Sequence, residues 1–350
     1  MFQRFLVPLD GSKRAEKAIP VAADLTRAVH GTLTLARIVE PSPGGNGEYE
    51  ASLSANEIRA AQVALFAEAK SYLDGLLALY EQELDGLHLI LDVSSGIVPS
   101  TLFSLANQEH LDMIVMCSRG ESWLKRWVLG SVAQATLRRS PLPVLVLNEH
   151  GEDCSLFQNT RPLRILAPQD GSELSEAVLT SVFQLLGNVS PSTPHEIRLL
   201  RVLTMPVVAG GLGGGVYITD TFWEEQTRRA EQELQTLAQR LEQAKPKTVH
   251  CVITTSVVNG SDVAGAILGQ AQPARVGNEG VDYDLIALTT HGRTGLKRLL
   301  LGSVTEQIFG ATTLPLLVVH PSSVHSSEKQ RREQEQERRA EIEQSWVGLF

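Results

Sequence analysis

Cysteine is scarce in this 350-residue chain, which has three cysteines, Cys117, Cys154 and Cys251, far apart in the sequence. The sequence contains no Cys-x-x-Cys pair and no cluster of histidine and cysteine, so it does not indicate a structural zinc site. Isolated cysteines are typical of buried thiols in the reducing environment of the cytoplasm. We therefore predict no metal site and a cytoplasmic location.

Long hydrophobic runs and an excess of positive charge are also missing. No apolar run approaches the roughly 20 residues that cross a membrane. The chain enters its first predicted strand, Phe5 to Leu9, without the layout of a signal peptide. The formal net charge of −9 disfavours a general role in binding nucleic acid. These absences predict neither a membrane partner nor a nucleic-acid partner.

Several familiar catalytic and nucleotide-binding patterns are absent as well. There is no G-x4-G-K-[ST] segment, so the chain is not predicted to be a P-loop NTPase. No Ser/His/Asp or Cys/His constellation is visible, which favours a binding protein over an enzyme. The glycine-rich segment 205–221 has Val216 where G-x-G-x-x-G needs its last glycine. It predicts a plain flexible loop or, as an alternative, a lid.

What the chain does contain is an internal repeat. Residues 284–320 read as an apolar strand, a polar loop, a helix and a second apolar strand, and residues 111–147 have the same layout. In both stretches nine residues separate a glycine from a Gly-Ser pair, and a Leu-Lys-Arg triplet lies between them. Length and repeat together predict two domains. The predicted parts are domain 1 (1–148), a polar linker (149–161), domain 2 (162–321) and a charged tail (322–350).

The Gly-Ser pairs, Gly130-Ser131 and Gly302-Ser303, each stand at the start of a predicted helix. A helix start presents unpaired N–H groups and a partial positive charge. Glycine allows the backbone to approach an anion closely, so each pair is a candidate phosphate cradle. The loops before the two pairs carry basic residues that would add positive charge: Lys125, Arg126, Lys297 and Arg298.

A second motif, Asp-Gly-Ser, ends the first predicted strand of each repeat, at residues 10–12 and 170–172. Ligands of open parallel sheets bind outside the carboxyl ends of the strands, where Asp10 can accept hydrogen bonds from a base or a ribose. The alternative is structural: Asp10 caps the following helix and Gly11 serves the turn. The sequence alone favours neither interpretation.

Four segments resemble the universal stress protein family: FLVPLDGS, ILAPQDGS, SRGESWLKRWVLGSV and THGRTGLKRLLLGSV. They cover both repeats, and only the linker and the tail lie outside the resemblance. The short apolar strands joined through helices already indicate an α/β fold with parallel sheets covered on both faces. The resemblance implies two tandem Rossmann-like domains of the adenine nucleotide alpha hydrolase-like type. Each would have a five-stranded parallel sheet flanked by helices.

The resemblance also implies an adenine-nucleotide site in each repeat. ATP-binding members carry G-x2-G-x9-G-[ST], but the leading glycine is absent here, since Cys117 and Thr289 stand in its place. Asp10 and Asp170 are expected to face the adenosine. The implied contacts of the first repeat are Asp10, Ile38, Cys117, Gly120, Gly130, Ser131 and Val132. Those of the second are Asp170, Val202, Thr289, Gly292, Arg293, Gly302, Ser303 and Val304, with Ile38 and Val202 expected to contact adenine.

By the same resemblance, the protein is expected to act in the stress response by binding ATP, with or without Mg²⁺, and changing its conformation or partner binding. One alternative is a slow ATPase or phosphotransferase, although no convincing base is evident in the sequence. Another is a nucleotide-free interaction scaffold. Family members commonly dimerise through their final strands, which implies an intramolecular pseudo-dimer through 144–147 and 316–319. A homodimer and a protein partner for the tail stay open.

The second repeat is predicted to be the better nucleotide site. Its loop is small and polar and has an additional glycine, Gly295. The first repeat has the acidic Glu121 directly after Gly120, and the bulky Trp123 at the position of Gly295. Negative charge and bulk beside the phosphates would both weaken binding.

Overall fold

The computed structural model describes most of both repeats: residues 2–40, 55–118, 130–148, 157, 162–189, 194–204, 220–272, 282–290 and 302–320. Three predicted site residues, Gly120, Gly292 and Arg293, lie outside the described residues. So do the basic loop residues, the glycine-rich segment as far as residue 219, the tail, and all of the linker except Phe157.

Within the described residues, ten strands form where the sequence shows short apolar runs. Those of the first repeat are β1 (Arg4–Leu9), β2 (Thr32–Val39), β3 (His88–Ser95), β4 (Met113–Cys117) and β5 (Val144–Leu147). Those of the second are β6 (Arg164–Pro168), β7 (His195–Leu203), β8 (Cys251–Asn259), β9 (Leu285–Thr289) and β10 (Leu316–Val319). Every residue of β4, β5, β9 and β10 is buried, as expected for strands covered on both faces.

The helices follow the predicted periodic segments. The first repeat has α1 (Lys13–Glu16), α2 (Ala18–Ala28), α3 (Ala55–Leu79), α4 (Glu81–Leu84), α5 (Val98–Gln108) and α6 (Ser131–Arg139). The second has α7 (Glu173–Leu186), α8 (Asp220–Ala244), α9 (Val263–Ala271) and α10 (Ser303–Ala311). Apolar residues at helical spacing over 51–84 predict one helical stretch, but the structure interrupts it at Tyr80, whose backbone leaves the helical region between α3 and α4. No helix in the described part of the chain is long and apolar enough to cross a membrane.

All ten strands join one continuous sheet in the order β3-β2-β1-β4-β5-β10-β9-β6-β7-β8. Within each repeat, neighbouring strands pair in parallel, which confirms the predicted five-stranded parallel sheets. The two repeats meet where β10 pairs antiparallel with β5, Leu317 lying opposite Leu145. The two final strands therefore join, as the family resemblance implies.

The antiparallel joint determines where the two candidate sites lie. Because the strands of the two repeats run in opposite directions, their carboxyl ends lie at opposite edges of the common sheet. An ion pair connects α6 to α10, with Arg138 Nη2 3.4 Å from Glu306 Oε1. The Asn188 side chain donates to the carbonyl of Phe2 at 2.9 Å, a second polar contact between the repeats.

Two apolar cores cover the two faces of the sheet, and each runs through both repeats. Successive side chains of a strand point to opposite faces of the sheet, so each strand contributes to both cores. In β2, Leu33 and Leu35 belong to one core, and Ala36 and Ile38 belong to the other. The first core packs against α2, α3, α7 and α8, and the second against α5, α6, α9 and α10. Phe157, from the predicted linker, is buried in the first core.

Candidate functional site

The first candidate feature is the turn formed by Asp10, Gly11 and Ser12 directly after β1. Asp10 Oδ1 accepts hydrogen bonds from the Ser12 backbone N–H at 2.9 Å and from its hydroxyl at 2.6 Å. Gly11 has a φ of +90°, a conformation that favours glycine. The Ser12 hydroxyl oxygen accepts from the Ala15 N–H at 3.2 Å, so Ser12 caps the helix. The predicted alternative, in which Asp10 caps the helix, is therefore wrong about the capping residue. Asp10 closes the turn and Ser12 caps the helix, because only Ser12 reaches the first free N–H groups.

The second repeat builds the same turn from Asp170, Gly171 and Ser172. Asp170 Oδ1 accepts from the Ser172 N–H at 2.9 Å and from its hydroxyl at 2.6 Å, and Ser172 Oγ accepts from the Ser175 N–H at 3.2 Å. Gly171 has a φ of +86°. The two turns are therefore alike in their hydrogen bonds, in the positive φ of the glycine and in the helix cap.

An arginine lies beneath each turn, and sequence reasoning missed both. Arg37, in β2, donates from Nη1 to the carbonyl of Leu9 at 3.3 Å, and Arg201 holds the matching place in β7. The signal was available: each arginine follows two buried apolar residues and stands one residue before a predicted adenine contact, Ile38 or Val202. A charge at the same point of two buried strands suggests a role near the site.

The predicted adenine contacts lie at the carboxyl ends of β2 and β7, on the face opposite the arginines. Ile38 is buried and belongs to the second core. Val202 is half-buried and packs against the same core from the other repeat. An apolar side chain at the edge of the sheet can contact one face of a flat aromatic base.

The predicted phosphate cradles form the starts of α6 and α10. Gly130 and Gly302 are the N-cap residues, with φ and ψ of −56° and 144° in the first and −60° and 143° in the second. Their N–H groups donate to the carbonyls of Ser118 at 3.2 Å and Thr290 at 2.9 Å, directly beyond β4 and β9. Among the described residues, no side chain caps either helix. The exposed Ser131 and Ser303 follow these glycines, with the half-buried Val132 and Val304 next to them.

Gly302 has little room for a side chain. A Cβ at this position would lie 3.0 Å from the carbonyl oxygen of Thr290. Backbone at that distance must shift to admit even a methyl group. The helix start therefore favours glycine, as a close backbone approach to an anion also would.

Cys117 and Thr289, which replace the leading glycine of the family motif, are the last residues of β4 and β9 and are buried. Thr305 Oγ1 donates to the carbonyl of Thr289 at 3.2 Å, which ties α10 to the strand end. Each strand end thus lies beside its helix start, while the predicted contact of Cys117 and Thr289 with a ligand stays a prediction.

In each repeat, the parallel strands bring an Asp-Gly-Ser turn, an apolar strand end and an uncapped helix start to one edge of the sheet. These parts suit an anionic ligand with a flat apolar ring: hydrogen-bond acceptors and an apolar side chain for one end, helix N–H groups for the other. The described residues contain no group of three or more His, Cys, Asp and Glu side chains that could hold a metal ion.

The side chains that surround the two arginines differ between the repeats. In the first repeat Glu16 is 1% exposed and accepts from Lys13 Nζ at 2.9 Å and from the Tyr72 hydroxyl at 3.1 Å. Burial and then the neighbouring Glu16 carboxylate raise the pKa of Tyr72, so its hydroxyl stays protonated and donates to Glu16. In the second repeat α8 supplies a carboxylate instead: Glu233 Oε2 lies 3.6 Å from Arg201 Nη2.

Comparison with known proteins agrees with this architecture. The model of the universal stress protein family matches residues 1–148 and 163–320. A universal stress protein of Mycolicibacterium smegmatis is 26% identical over 321 residues, which cover 90% of this chain and 96% of the relative. The crystal structure of a universal stress protein from Archaeoglobus fulgidus superposes with a TM-score of 0.61 at 16% identity, covering 91% of this chain and 98% of that one.

Proposed function

The chain belongs to the universal stress protein family, a stress-response family, and we propose that it binds ATP or a closely related adenine nucleotide. One observation supports this proposal above the others: within each repeat, the turn and the glycine-started helix lie together at one edge of the sheet. Bound nucleotide would then bias conformation or partner binding in the stress response, because a ligand shifts an equilibrium by its preference for one state.

Each part of the site has a role in the proposal. The N–H groups at the starts of α6 and α10 would bind phosphate oxygens, with Ser131 and Ser303 as further donors. Asp10 and Asp170 would accept hydrogen bonds from the adenosine, and Ile38 and Val202 would contact adenine. Since Mg²⁺ commonly binds through substrate phosphates with few protein ligands, it would arrive with the nucleotide.

The identity of the bound ligand tests the proposal directly. The chain is purified without added nucleotide and denatured, and the released small molecules are identified by mass spectrometry. Isothermal titration with ATP and with GTP then measures affinity. We expect an adenine nucleotide in the released material, or binding of ATP well above that of GTP, and a higher melting temperature with ATP. No released nucleotide and no heat of binding would instead support a nucleotide-free scaffold.

The remaining predictions concern location and partners. We propose a cytoplasmic location, which the three scattered cysteines support. The homodimer and the partner for the tail stay predictions. Sedimentation velocity of the full chain and of a chain ending at Pro321 would test the homodimer, since loss of the dimer on truncation assigns its interface to the tail.

A further inference from the structure

The Arg201 side chain is buried, with 9% of its surface exposed, and it lies directly against the second-repeat turn. A Cβ at Gly171 would stand 2.6 Å from Arg201 Nη2, 2.8 Å from Nη1 and 3.1 Å from Cζ. Three atoms of the guanidinium therefore occupy the space that any larger residue at this position would fill. The turn packs on a charged group.

A buried guanidinium is costly without a counter-charge, and α8 provides one. Glu233 Oε2 lies 3.6 Å from Arg201, and Glu233 Oε1 accepts from Arg229 Nε at 3.0 Å. Glu233 is thus held between two arginines, one on its own helix and one on β7. The ion pair connects the long helix to the turn through Arg201.

We propose that Arg201 is a positioning residue for the adenosine end of the second-repeat site. By packing against Gly171, the guanidinium keeps the turn in its positive-φ conformation and so keeps Asp170 directed toward the ligand. Glu233 holds the guanidinium in place from α8. This inference rests on the proposed function, because it assigns Arg201 to one end of the nucleotide site.

In the first repeat, the corresponding arginine, Arg37, lies farther from its turn. A Cβ at Gly11 would lie 3.7 Å from Arg37 Nη2 and 3.9 Å from its Cζ, which is ordinary contact distance. Arg37 instead donates to the Leu9 carbonyl, and α3 carries Tyr72, which donates to Glu16, near this turn. Arg37 is therefore a matched control in the same chain, with the same residue type beneath the same turn.

Binding of ATP and of inorganic tripolyphosphate to the full-length chain tests the proposal. Both are measured by titration in a chain that also carries Gly130→Glu, so that the second-repeat site dominates the signal. We expect Arg201→Met to weaken ATP binding at least about tenfold and to change tripolyphosphate binding less than about twofold, because the turn faces adenosine rather than phosphate. Arg37→Met is measured instead in a chain that carries Gly302→Glu, so that the first-repeat site gives the signal, and it is expected to leave both affinities within about twofold.

A second variant covers the case in which Arg201→Met folds poorly. Glu233→Gln keeps the arginine and changes a side chain that is 43% exposed, so the fold is expected to survive. It should weaken ATP binding about threefold without affecting tripolyphosphate. Circular dichroism and the melting temperature of the ligand-free variants show which of them are folded.

The outcomes separate this inference from the proposed function. Arg201 has no positioning role if folded Arg201→Met or Glu233→Gln binds ATP as the parent does. The same follows if the variant loses ATP and tripolyphosphate equally, or if Arg37→Met causes the same loss. A parent chain that binds neither ATP nor tripolyphosphate would contradict the proposed function itself, and with it this inference.

Discussion

The two repeats have the same turn and the same helix start but support the turn with different side chains. Beneath the first turn, Arg37 donates a hydrogen bond to a backbone carbonyl, and the buried Glu16 accepts a hydrogen bond from the Tyr72 hydroxyl. Beneath the second, Arg201 packs on Gly171 and pairs with Glu233. The local geometry of the turn is thus compatible with two surroundings. Differences in affinity between the repeats can therefore come from residues that never touch the ligand.

The largest expected effect comes from placing a carboxylate in each phosphate cradle. Gly302→Glu should remove most ATP binding, by more than about tenfold, because a side chain meets the Thr290 carbonyl and the new charge repels phosphate. Gly130→Glu should remove less, since the first site is predicted to be the weaker one. Isothermal titration of the two variants makes the measurement.

The expected ranking depends on Glu121, Trp123 and Gly295, which lie outside the described residues. Equal losses from the two glycine substitutions would mean that the repeats are equivalent, and a greater loss from Gly130→Glu would reverse their order. The melting temperature of each ligand-free variant serves as the control for folding.

A smaller effect, on stability rather than binding, is expected from the acidic residue that follows each turn. Glu16→Ala leaves the Tyr72 hydroxyl without this acceptor and should lower the free energy of unfolding by about 1–3 kcal/mol. Glu176→Ala removes an ion pair with Arg240 that is largely exposed and should cost about 0–1 kcal/mol. Thermal and urea unfolding of both variants measures the two losses. Equal losses in the free energy of unfolding would contradict the expected difference between Glu16 and Glu176.

The pH dependence of stability should also differ between the repeats, because of a histidine at the start of β7. His195 Nδ1 accepts from the Leu163 N–H at 3.0 Å, and burial lowers the pKa of this side chain. The first repeat has Gly31 at the corresponding place. The folded state therefore favours neutral His195, while the unfolded chain takes up a proton near pH 6.5.

The stabilising contribution of neutral His195 is complete above pH about 6.5 and is lost as the pH falls through that value toward the lower pKa of the folded state. We expect His195→Gln to be somewhat less stable at pH 7.5 and to lose less of its stability between pH 7 and pH 5 than the parent. Urea unfolding at several pH values measures this slope. Parallel curves for parent and variant would show that His195 does not contribute.

The smallest effect is expected from removing the tail. Truncation after Pro321 should leave ATP affinity within about threefold and leave the difference between the Gly302→Glu and Gly130→Glu variants unchanged, since the tail carries neither motif. A large loss of affinity would assign part of a site to the tail.

Much of the fold could be predicted because its signals are local. The apolar run from Thr32 to Val39 predicts a strand, and β2 covers the same residues. The sequence pattern predicts a helix from Phe222 to Gln243, and α8 extends it by two residues at its start and one at its end. Tyr80 was missed as a break, because apolar periodicity continues across it and predicts one helix where the structure has two.

The candidate site was predictable only in part. The motif glycines and serines stand out by their spacing, and the structure places Gly302 and Asp170 at the same edge of the sheet. The contact of Arg201 with Gly171 joins residues from different elements, and Glu233 comes from a third. No pattern within a short window shows which of the many charged residues will meet across such distances.

By itself, the sequence determined the order of strands and helices, the duplication and the Asp-Gly-Ser turns. All of these arise from apolar periodicity or from hydrogen bonds between residues close in the chain. Only the tertiary structure decided that β5 and β10 pair antiparallel, which puts the two candidate sites at opposite edges of one sheet. It also decided that Arg201 and Glu233 meet beneath one turn, while Tyr72 donates to Glu16 near the other. The physical reason is that such contacts depend on how whole elements pack. Packing depends on the shape and charge of segments that are distant in the chain, and no single stretch of sequence contains that information.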